Sequence, residues 1–174
     1  GKGVTKIGDF AFAGCTKLRT IKLPDTVTTI GRNLFEKCFS LQDVKLSKNI
    51  TRISYEMFKY CKEMQNIEIP ENVTTIEAGA FGGCINFTKI KIPSALKIIG
   101  SNAFTGCLKL NLFDIGNNTN FVFENGILMN KEKTQMYFIS NLAINGDTFT
   151  VPKGITELPA NLLNENGNGI VKKV

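Results

Sequence analysis

The chain lacks histidine and tryptophan, and no apolar stretch approaches the roughly 20 residues that a membrane-spanning helix needs. Without histidine, Cys-His and Ser-His catalysis and the commonest metal ligand are excluded. The 21 basic residues outnumber the 15 acidic ones, but they are scattered rather than clustered. The first residues also lack the apolar run of a signal peptide. The sequence therefore favours neither an enzyme, nor a nucleic-acid-binding protein, nor a membrane-inserted segment.

Closely spaced cysteines are also lacking. The five cysteines occur singly, one every 23 residues from Cys15 to Cys107, whereas zinc sites need ligand clusters such as C-x2-C. Stacked copies would bring neighbouring thiols within reach of a disulfide, but the odd count and the regular spacing argue for free thiols. We expect buried structural thiols that act as small hydrophobes, with no metal site and no cofactor.

A 23-residue period is the strongest feature that the sequence does have. A phenylalanine stands three residues ahead of each cysteine, from Phe12 to Phe104. Six further positions stay apolar in all five copies. This internal repeat is stronger evidence for the fold than any local secondary-structure pattern. These six columns begin at Val4, Ile7, Ala11, Leu18, Ile21 and Leu23.

Each copy divides into short pieces. The alternation around Ile21 and Leu23 predicts a strand near residues 20–23, which Pro24 ends, and the β-branched residues 27–30 predict a second extended piece. The spacing of apolar residues within 33–38 predicts one helical turn. Because one such coil cannot bury its own apolar face, we expect the copies to stack. The predicted fold is an α/β-type repeat solenoid, with a parallel strand ladder and short helical or 3-10 turns opposite.

The consensus I-G-x-x-A-F-x-x-C-x-x-L-x-x-I-x-L-P-x-x-V-T-x-I can be read from Ile7 to Ile30. It closely resembles the BspA-like (Treponema pallidum type) leucine-rich repeat, and the resemblance covers Val4 to about Ile115. The resemblance implies a right-handed leucine-rich-repeat stack. It also implies a protein-binding, adhesion-type module of a secreted or cell-surface protein, whose ligand would be a host-matrix or cell-surface protein.

The repeat is interrupted once. Residues 121–140 form two β-rich runs around a polar centre at 130–134, which predicts a hairpin, and the segment also resembles an insertion found between repeats of this family. The apolar pattern of the repeat returns at Val151. In this last copy, Leu163 stands at the position of the repeated phenylalanine, and Asn166 stands at that of the repeated cysteine. We therefore expect a single domain over 1–174, with five repeats in 4–118, an inserted hairpin in 119–148 and a degenerate C-terminal repeat or cap in 149–174.

The outward positions of the first predicted strand vary from copy to copy, whereas the core columns hardly vary. Solenoids present such strand faces as extended binding surfaces. An equally open alternative is a structural spacer or display scaffold, in which these side chains only keep the face hydrated. The candidate protein-binding residues are Thr20, Lys22, Asp43, Lys45, Asn66, Glu68, Lys89 and Lys91, and the same columns continue at Leu112 and Asp114.

Two other patterns carry chemistry. Glu68 and Asp114 share a column, but they are two coils apart with Lys91 between them, so a solvated ladder is the better interpretation than acid-base catalysis. Four Asn-x-Thr triplets match the N-glycosylation signal, which matters only in a secreted eukaryotic protein. They begin at Asn49, Asn72, Asn86 and Asn117.

Overall fold

The computed structural model describes residues 3–146 and 148–159. The described residues form five coils, and where strands of neighbouring coils pair, they pair in parallel at a step of 23 residues. Two ladders of short strands run along the stack. The side ladder consists of β1 (Lys6–Ile7), β3 (Thr29–Ile30), β5 (Arg52–Ile53), β6 (Thr75–Ile76) and β8 (Ile98–Ile99). The front ladder consists of β2 (Thr20–Lys22), β4 (Asp43–Lys45), β7 (Lys89–Lys91) and β9 (Leu112–Asp114).

The register confirms the predicted stack. Ile7 pairs with Ile30, and Ile21 pairs with Val44. Each apolar residue therefore lies against the equivalent residue of the next coil. The front ladder has one break: residues 66–68 of the third coil pair as a strand with neither β4 nor β7. The side ladder is also interrupted, because β3 and β5 do not pair. The third coil is joined to the fourth by the pair Ile53 and Ile76, and to the second by main-chain bonds such as that from the Asn33 N–H to the Tyr55 carbonyl at 2.8 Å.

The predicted helical turn in each coil is not found among the described residues, and the α/β label is not confirmed. Residues 32–37 form successive turns, and the described residues contain no α-helix and only one 3-10 helix, Asn141–Ala143. Asn33 and Lys37 have φ values of 55° and 59°, which a right-handed helix does not accommodate. Their main-chain N–H groups, like that of Phe35, donate to carbonyls of the next coil at 2.8 Å. Bonds between coils thus alternate along this segment with bonds inside the coil, such as that from the Glu36 N–H to the Asn33 carbonyl at 3.2 Å.

The core is one continuous column of side chains along the stack. The rings of Phe35, Phe58 and Phe81 lie parallel, with centroids 5.4 Å and 5.5 Å apart, and all three are fully buried. Offset stacking of this kind adds about 0.5–1.5 kcal/mol per pair beyond the burial of area. In the first coil the same columns are more exposed: Val4 retains 46% of its surface, whereas its equivalent Val27 retains none.

Three antiparallel strands follow the fifth coil: β10 (Phe121–Glu124), β11 (Ile127–Asn130) and β12 (Met136–Ile139). The sequence predicted one hairpin around residues 130–134, but the segment contains two, because a tight turn at Asn125-Gly126 joins β10 to β11. This sheet covers the last coil, since Phe123 and Phe138 contact Phe113 with ring centroids 5.2 Å and 5.3 Å apart.

After the sheet, Val151 and Ile155 pack with Phe149 in a second, small apolar cluster. Glu157 bridges in parallel to Gln135. Leu163 and Asn166, where the last copy departs from the consensus, lie outside the described residues. The predicted boundaries of the repeats, the insertion and the cap therefore stay predictions.

Candidate binding surface

The outward side chains of the front ladder form the candidate surface. Strand residues alternate between faces, so Ile21 turns toward the core while Thr20 and Lys22 turn outward. Every predicted binding residue is exposed, and the intervening positions Ile67 and Ile90 are buried. The structure therefore places all the predicted residues on one face, which we call the strand face: the outward residues of columns 19, 20, 22 and 25 and their equivalents in later coils.

Two grooves on the strand face flank residues 66–68, where the ladder is interrupted. The first, of about 500 Å³, brings together Asp43, Lys45, Asn66 and Glu68. The second, of about 410 Å³, is lined by Asn66 and Glu68 on one side and by Lys89, Lys91 and Asp114 on the other. Thr20 and Lys22 border neither groove.

Acidic residues along the edge of the strand face tie neighbouring coils together. Asp25 accepts the main-chain N–H of Lys48 and pairs with its ammonium group at 3.3 Å, and these contacts lower the pKa of Asp25. Glu71 pairs with Lys91 at 2.7 Å and accepts the main-chain N–H of Ser94. The hydrogen bond from Lys91 is the main reason why the pKa of Glu71 is lowered, and it raises the pKa of Lys91.

Three lysines of the strand face have no such partner. Within the described residues, Lys22, Lys45 and Lys89 form no ion pair, and neither do Asp43 and Glu68. Lys22 and Lys45 are direct neighbours in the register, and like charges on adjacent strands are destabilising. Lys45 contributes to the lowered pKa of Asp25, but neither it nor Lys22 nor Lys89 is held in an ion pair among the described residues.

Sequence reasoning missed part of this surface. Asp25, Gln42 and Lys48 line the larger groove, although they lie outside the two strand columns that begin at Thr20 and Lys22. Position 25 recurs at Lys48, Glu71 and Ser94, and its variable, polar character is the signal that would have placed this column on the face.

The remaining features concern metal ligands, cysteines and membrane-spanning segments within the described residues. Among residues 3–146 and 148–159, no three His, Cys, Asp or Glu side chains lie together as metal ligands would. All five cysteines are free, as predicted; four are buried, whereas Cys15 of the first coil is exposed. No helix within the described part of the chain is long and apolar enough to cross a membrane.

The four Asn-x-Thr asparagines differ in their surroundings. The side-chain amides of Asn49 and Asn86 donate to main-chain carbonyls of the preceding coil, at 2.7 Å and 2.9 Å. Asn72 and Asn117 are exposed and make no side-chain hydrogen bond within the described residues. Glycosylation stays a prediction for all four.

Comparison with known proteins gives consistent results. A family model described as a BspA type leucine rich repeat region matches in six copies, over residues 1–111 and 51–166. Among solved structures, a leucine rich cell surface protein from Faecalibacterium prausnitzii is 38% identical, with a TM-score of 0.64 over 66% of this chain and 30% of that one. The leucine rich repeat protein of T. pallidum is 29% identical, with a TM-score of 0.62 over 64% of this chain and 53% of that one.

A third structure, the pneumococcal vaccine antigen PcpA, is 25% identical and has a TM-score of 0.57; it covers 95% of this chain and 36% of its own. No match was found among curated protein sequences. The chain spans less than two thirds of the length of each of these structures.

Proposed function

Because the chain belongs to the BspA-type leucine-rich-repeat family, we propose that it is a protein-binding, adhesion-type module that recognises its ligand through the strand face. The module belongs to a secreted or cell-surface protein. The neighbours named as a cell surface protein and as a vaccine antigen support this location.

One observation carries the proposal: the exposed lysines Lys22, Lys45 and Lys89 form no ion pair among the described residues, although the fold pairs Lys48 and Lys91 nearby. Charged rims of this kind set the association rate and the specificity of a protein complex. The two grooves at the break in the front ladder provide the concave relief into which the ligand's side chains insert. No reacting constellation stands on this face, so we propose binding and not catalysis.

The test is charge reversal with a matched control. The triple variant Lys22→Glu, Lys45→Glu, Lys89→Glu is compared with Lys6→Glu, Lys97→Glu, Lys131→Glu, in which three exposed lysines outside the strand-face columns undergo the same change of charge. Binding to immobilised collagen, fibronectin and laminin is measured by surface plasmon resonance, and circular dichroism checks the fold. We expect the first variant to lose binding by at least tenfold and the control to keep it.

Two outcomes contradict the proposal. Equal loss in both triple variants would show that net charge, and not the strand face, is responsible. Failure of the unmodified protein to bind any of the three ligands would favour a structural spacer that displays another domain.

A further inference from the structure

The contact between coils two and three, which we call the open joint, lacks strand pairs in both ladders. By the repeat columns, coil two comprises residues 27–49 and coil three residues 50–72. Within the described residues, β3 does not pair with β5, and residues 66–68 do not pair with β4. The first and fourth contacts between coils have strand pairs in both ladders, and the third has one in the side ladder.

The side ladder shows the difference at a single position of the repeat. The main-chain N–H groups of Gly31, Glu77 and Gly100 donate to carbonyls of the preceding coil, at 2.9, 2.9 and 2.8 Å. The N–H group of the equivalent Ser54 has no acceptor within the described residues. The Ser54 hydroxyl donates to the Gly31 carbonyl at 2.7 Å instead. One side-chain bond therefore stands where the other coils have a strand ladder.

The front of the open joint lacks the same kind of bond. The main-chain N–H groups of Gln42, Thr88 and Asn111 donate to the preceding coil at 2.9, 3.0 and 3.2 Å, but that of the equivalent Gln65 has no acceptor among the described residues. Charged side chains do not compensate. In the described part of the chain, two ion pairs join coil one to coil two and two join coil three to coil four, but none joins coil two to coil three.

The main-chain bonds that remain lie on one side of the coil. We call this side the turn face; it consists of residues 32–37 and their equivalents in the other coils. Here the open joint is fully bonded, because the N–H groups of Asn33, Phe35 and Lys37 each donate to a carbonyl of coil three at 2.8 Å. The Asn33 amide also donates to the Glu56 carboxylate at 3.0 Å.

The other contacts across the open joint lie on or beside the turn face. The Phe35 ring stacks on that of Phe58 with centroids 5.4 Å apart, and the Cys61 thiol donates to the Phe35 carbonyl at 3.2 Å. The N–H group of Glu63 donates to the Phe39 carbonyl at 3.2 Å. Apart from the turn in which the chain passes from one coil to the next, every hydrogen bond across this joint within the described residues has its coil-two partner in residues 31–39.

This one-sided bonding defines how the joint can move. Each coil has three sides, formed by the side ladder, the turn face and the front ladder. Rotation about the turn face keeps its bonds and separates Phe35 from Phe58 only slightly, since both rings belong to turn-face residues. The same rotation breaks no strand pair, because neither ladder crosses the joint in the described part of the chain. In a solenoid, stability is the sum of the coils and of the contacts between neighbours, so motion concentrates at the contact with the fewest bonds.

We propose that the open joint is a hinge, about which coils one and two turn as one block against coils three to five. The groove of about 500 Å³ on the strand face lies across this joint, with Asp43 and Lys45 on one side and Asn66 and Glu68 on the other. Opening the hinge widens this groove and changes the curvature of the strand face. A ligand that fills the groove therefore selects one opening angle. The hinge itself does not depend on which ligand the strand face binds.

Residual dipolar couplings measured by nitrogen-15 NMR test the hinge, because two blocks that turn against each other align differently. We expect residues 4–49 and residues 50–118 each to fit one alignment tensor and to need different tensors. Hydrogen exchange in the same samples reports on the missing ladder. We expect the Ser54 amide to exchange at least tenfold faster than those of Gly31, Glu77 and Gly100, after correction for intrinsic rates.

A disulfide across the open joint provides a locked variant with a matched control. Asp43→Cys with Asn66→Cys links equivalent outward positions of coils two and three, and Lys89→Cys with Leu112→Cys links the same position where β7 and β9 already pair. Equivalent residues of stacked strands lie about 4.8 Å apart, within the range that a disulfide spans. Both variants carry Cys15→Ser, because Cys15 is the exposed native thiol among the described residues. We expect the first disulfide to merge the two tensors into one and the second to leave them different.

The hinge is overturned if one tensor fits all five coils of the wild type, or if the couplings divide at another contact between coils. It is also overturned if the disulfide between coils two and three leaves the two tensors as different as the control disulfide does.

Discussion

The thiol of Cys61 donates a hydrogen bond to the main-chain carbonyl of Phe35, one coil earlier, at a sulfur–oxygen distance of 3.2 Å. The same bond recurs between Cys84 and Phe58 at 3.1 Å. The cysteine column is thus a row of buried donors that tie each coil to the one before it, beyond filling space.

This placement predicts which thiols react. Burial raises the pKa of Cys38 to about 11 and that of Cys107 to about 12, and it raises the pKa values of Cys61 and Cys84 as well. The nucleophile is the thiolate, so these four cysteines stay protonated and inert near pH 8. We expect iodoacetamide to modify only Cys15 in the folded protein and all five cysteines in denaturant, as counted by intact-protein mass spectrometry. Two or more adducts in the folded state would contradict this picture of the core.

Truncation within the phenylalanine stack should be costly. Phe58→Ala removes a fully buried ring between Phe35 and Phe81, and we expect it to lower the free energy of unfolding by about 3–5 kcal/mol. The control is Phe39→Ala, at an exposed ring that Lys62 overlies, where we expect a loss of about 1 kcal/mol or less. Urea denaturation followed by circular dichroism measures both. Equal losses would mean that the stack does not carry the stability.

Two glycines at the same position of the repeat provide a matched pair. A Cβ atom at Gly100 would lie 2.4 Å from the main-chain nitrogen of Ala78, whereas one at Gly8 would meet nothing within 4 Å. We expect Gly100→Ala to destabilise the protein by about 1–3 kcal/mol and Gly8→Ala to have little effect. The melting temperatures of the two variants measure the difference. Equal melting temperatures would show that close approach of the coils is not the reason for the glycine.

The pair of Glu56 and Lys59 predicts a loss of stability in acid. Burial raises the pKa of Glu56, but hydrogen bonds from Lys59 and Asn33 outweigh it, so the pKa is lowered from its ordinary value. A carboxylate with a lowered pKa stabilises the fold above its unfolded-state pKa, and this stabilisation is lost as the pH falls through the folded-state value.

We therefore expect the unfolding free energy to fall between about pH 6 and pH 3, and to fall less in Glu56→Gln, by up to about 1 kcal/mol. Urea denaturation at both pH values measures the difference. Glu63→Gln serves as the control, because the exposed Glu63 forms no ion pair within the described residues. An identical acid profile in the wild type and Glu56→Gln would show that the pair contributes nothing.

The sequence predicted the stack because periodicity of the core is itself a structural signal. The columns of Phe12 and Cys15 identified which residues are equivalent, and the register of Ile7 with Ile30 follows from that equivalence. Local conformation was harder to predict. The apolar spacing within 33–38 fits a helical turn, but the left-handed conformations of Asn33 and Lys37 are imposed by bonds to the next coil, which no local pattern reveals.

Only one of the two hairpins in the C-terminal sheet was predicted, because the turn at residues 125–126 was overlooked. The Asn125-Gly126 dipeptide is a strong hairpin signal, and it was present in the sequence alongside the polar centre at 130–134. For the binding surface, the alternation of Thr20, Ile21 and Lys22 sufficed to predict exposure. The grooves depend on the break at residues 66–68 and on side chains of neighbouring coils, and a single strand's pattern contains neither.

The strict step of 23 residues in the strand register also limits how such a gene can change in length. Removing a whole coil would bring each remaining strand against an equivalent partner, whereas removing another number of residues from within a coil would shift every column downstream of the cut. A segment of another length is accommodated only where it lies outside the coils, as β10 to β12 do. Recombination between copies is therefore tolerated in units of one coil, and related chains should differ in reach by whole turns of the solenoid.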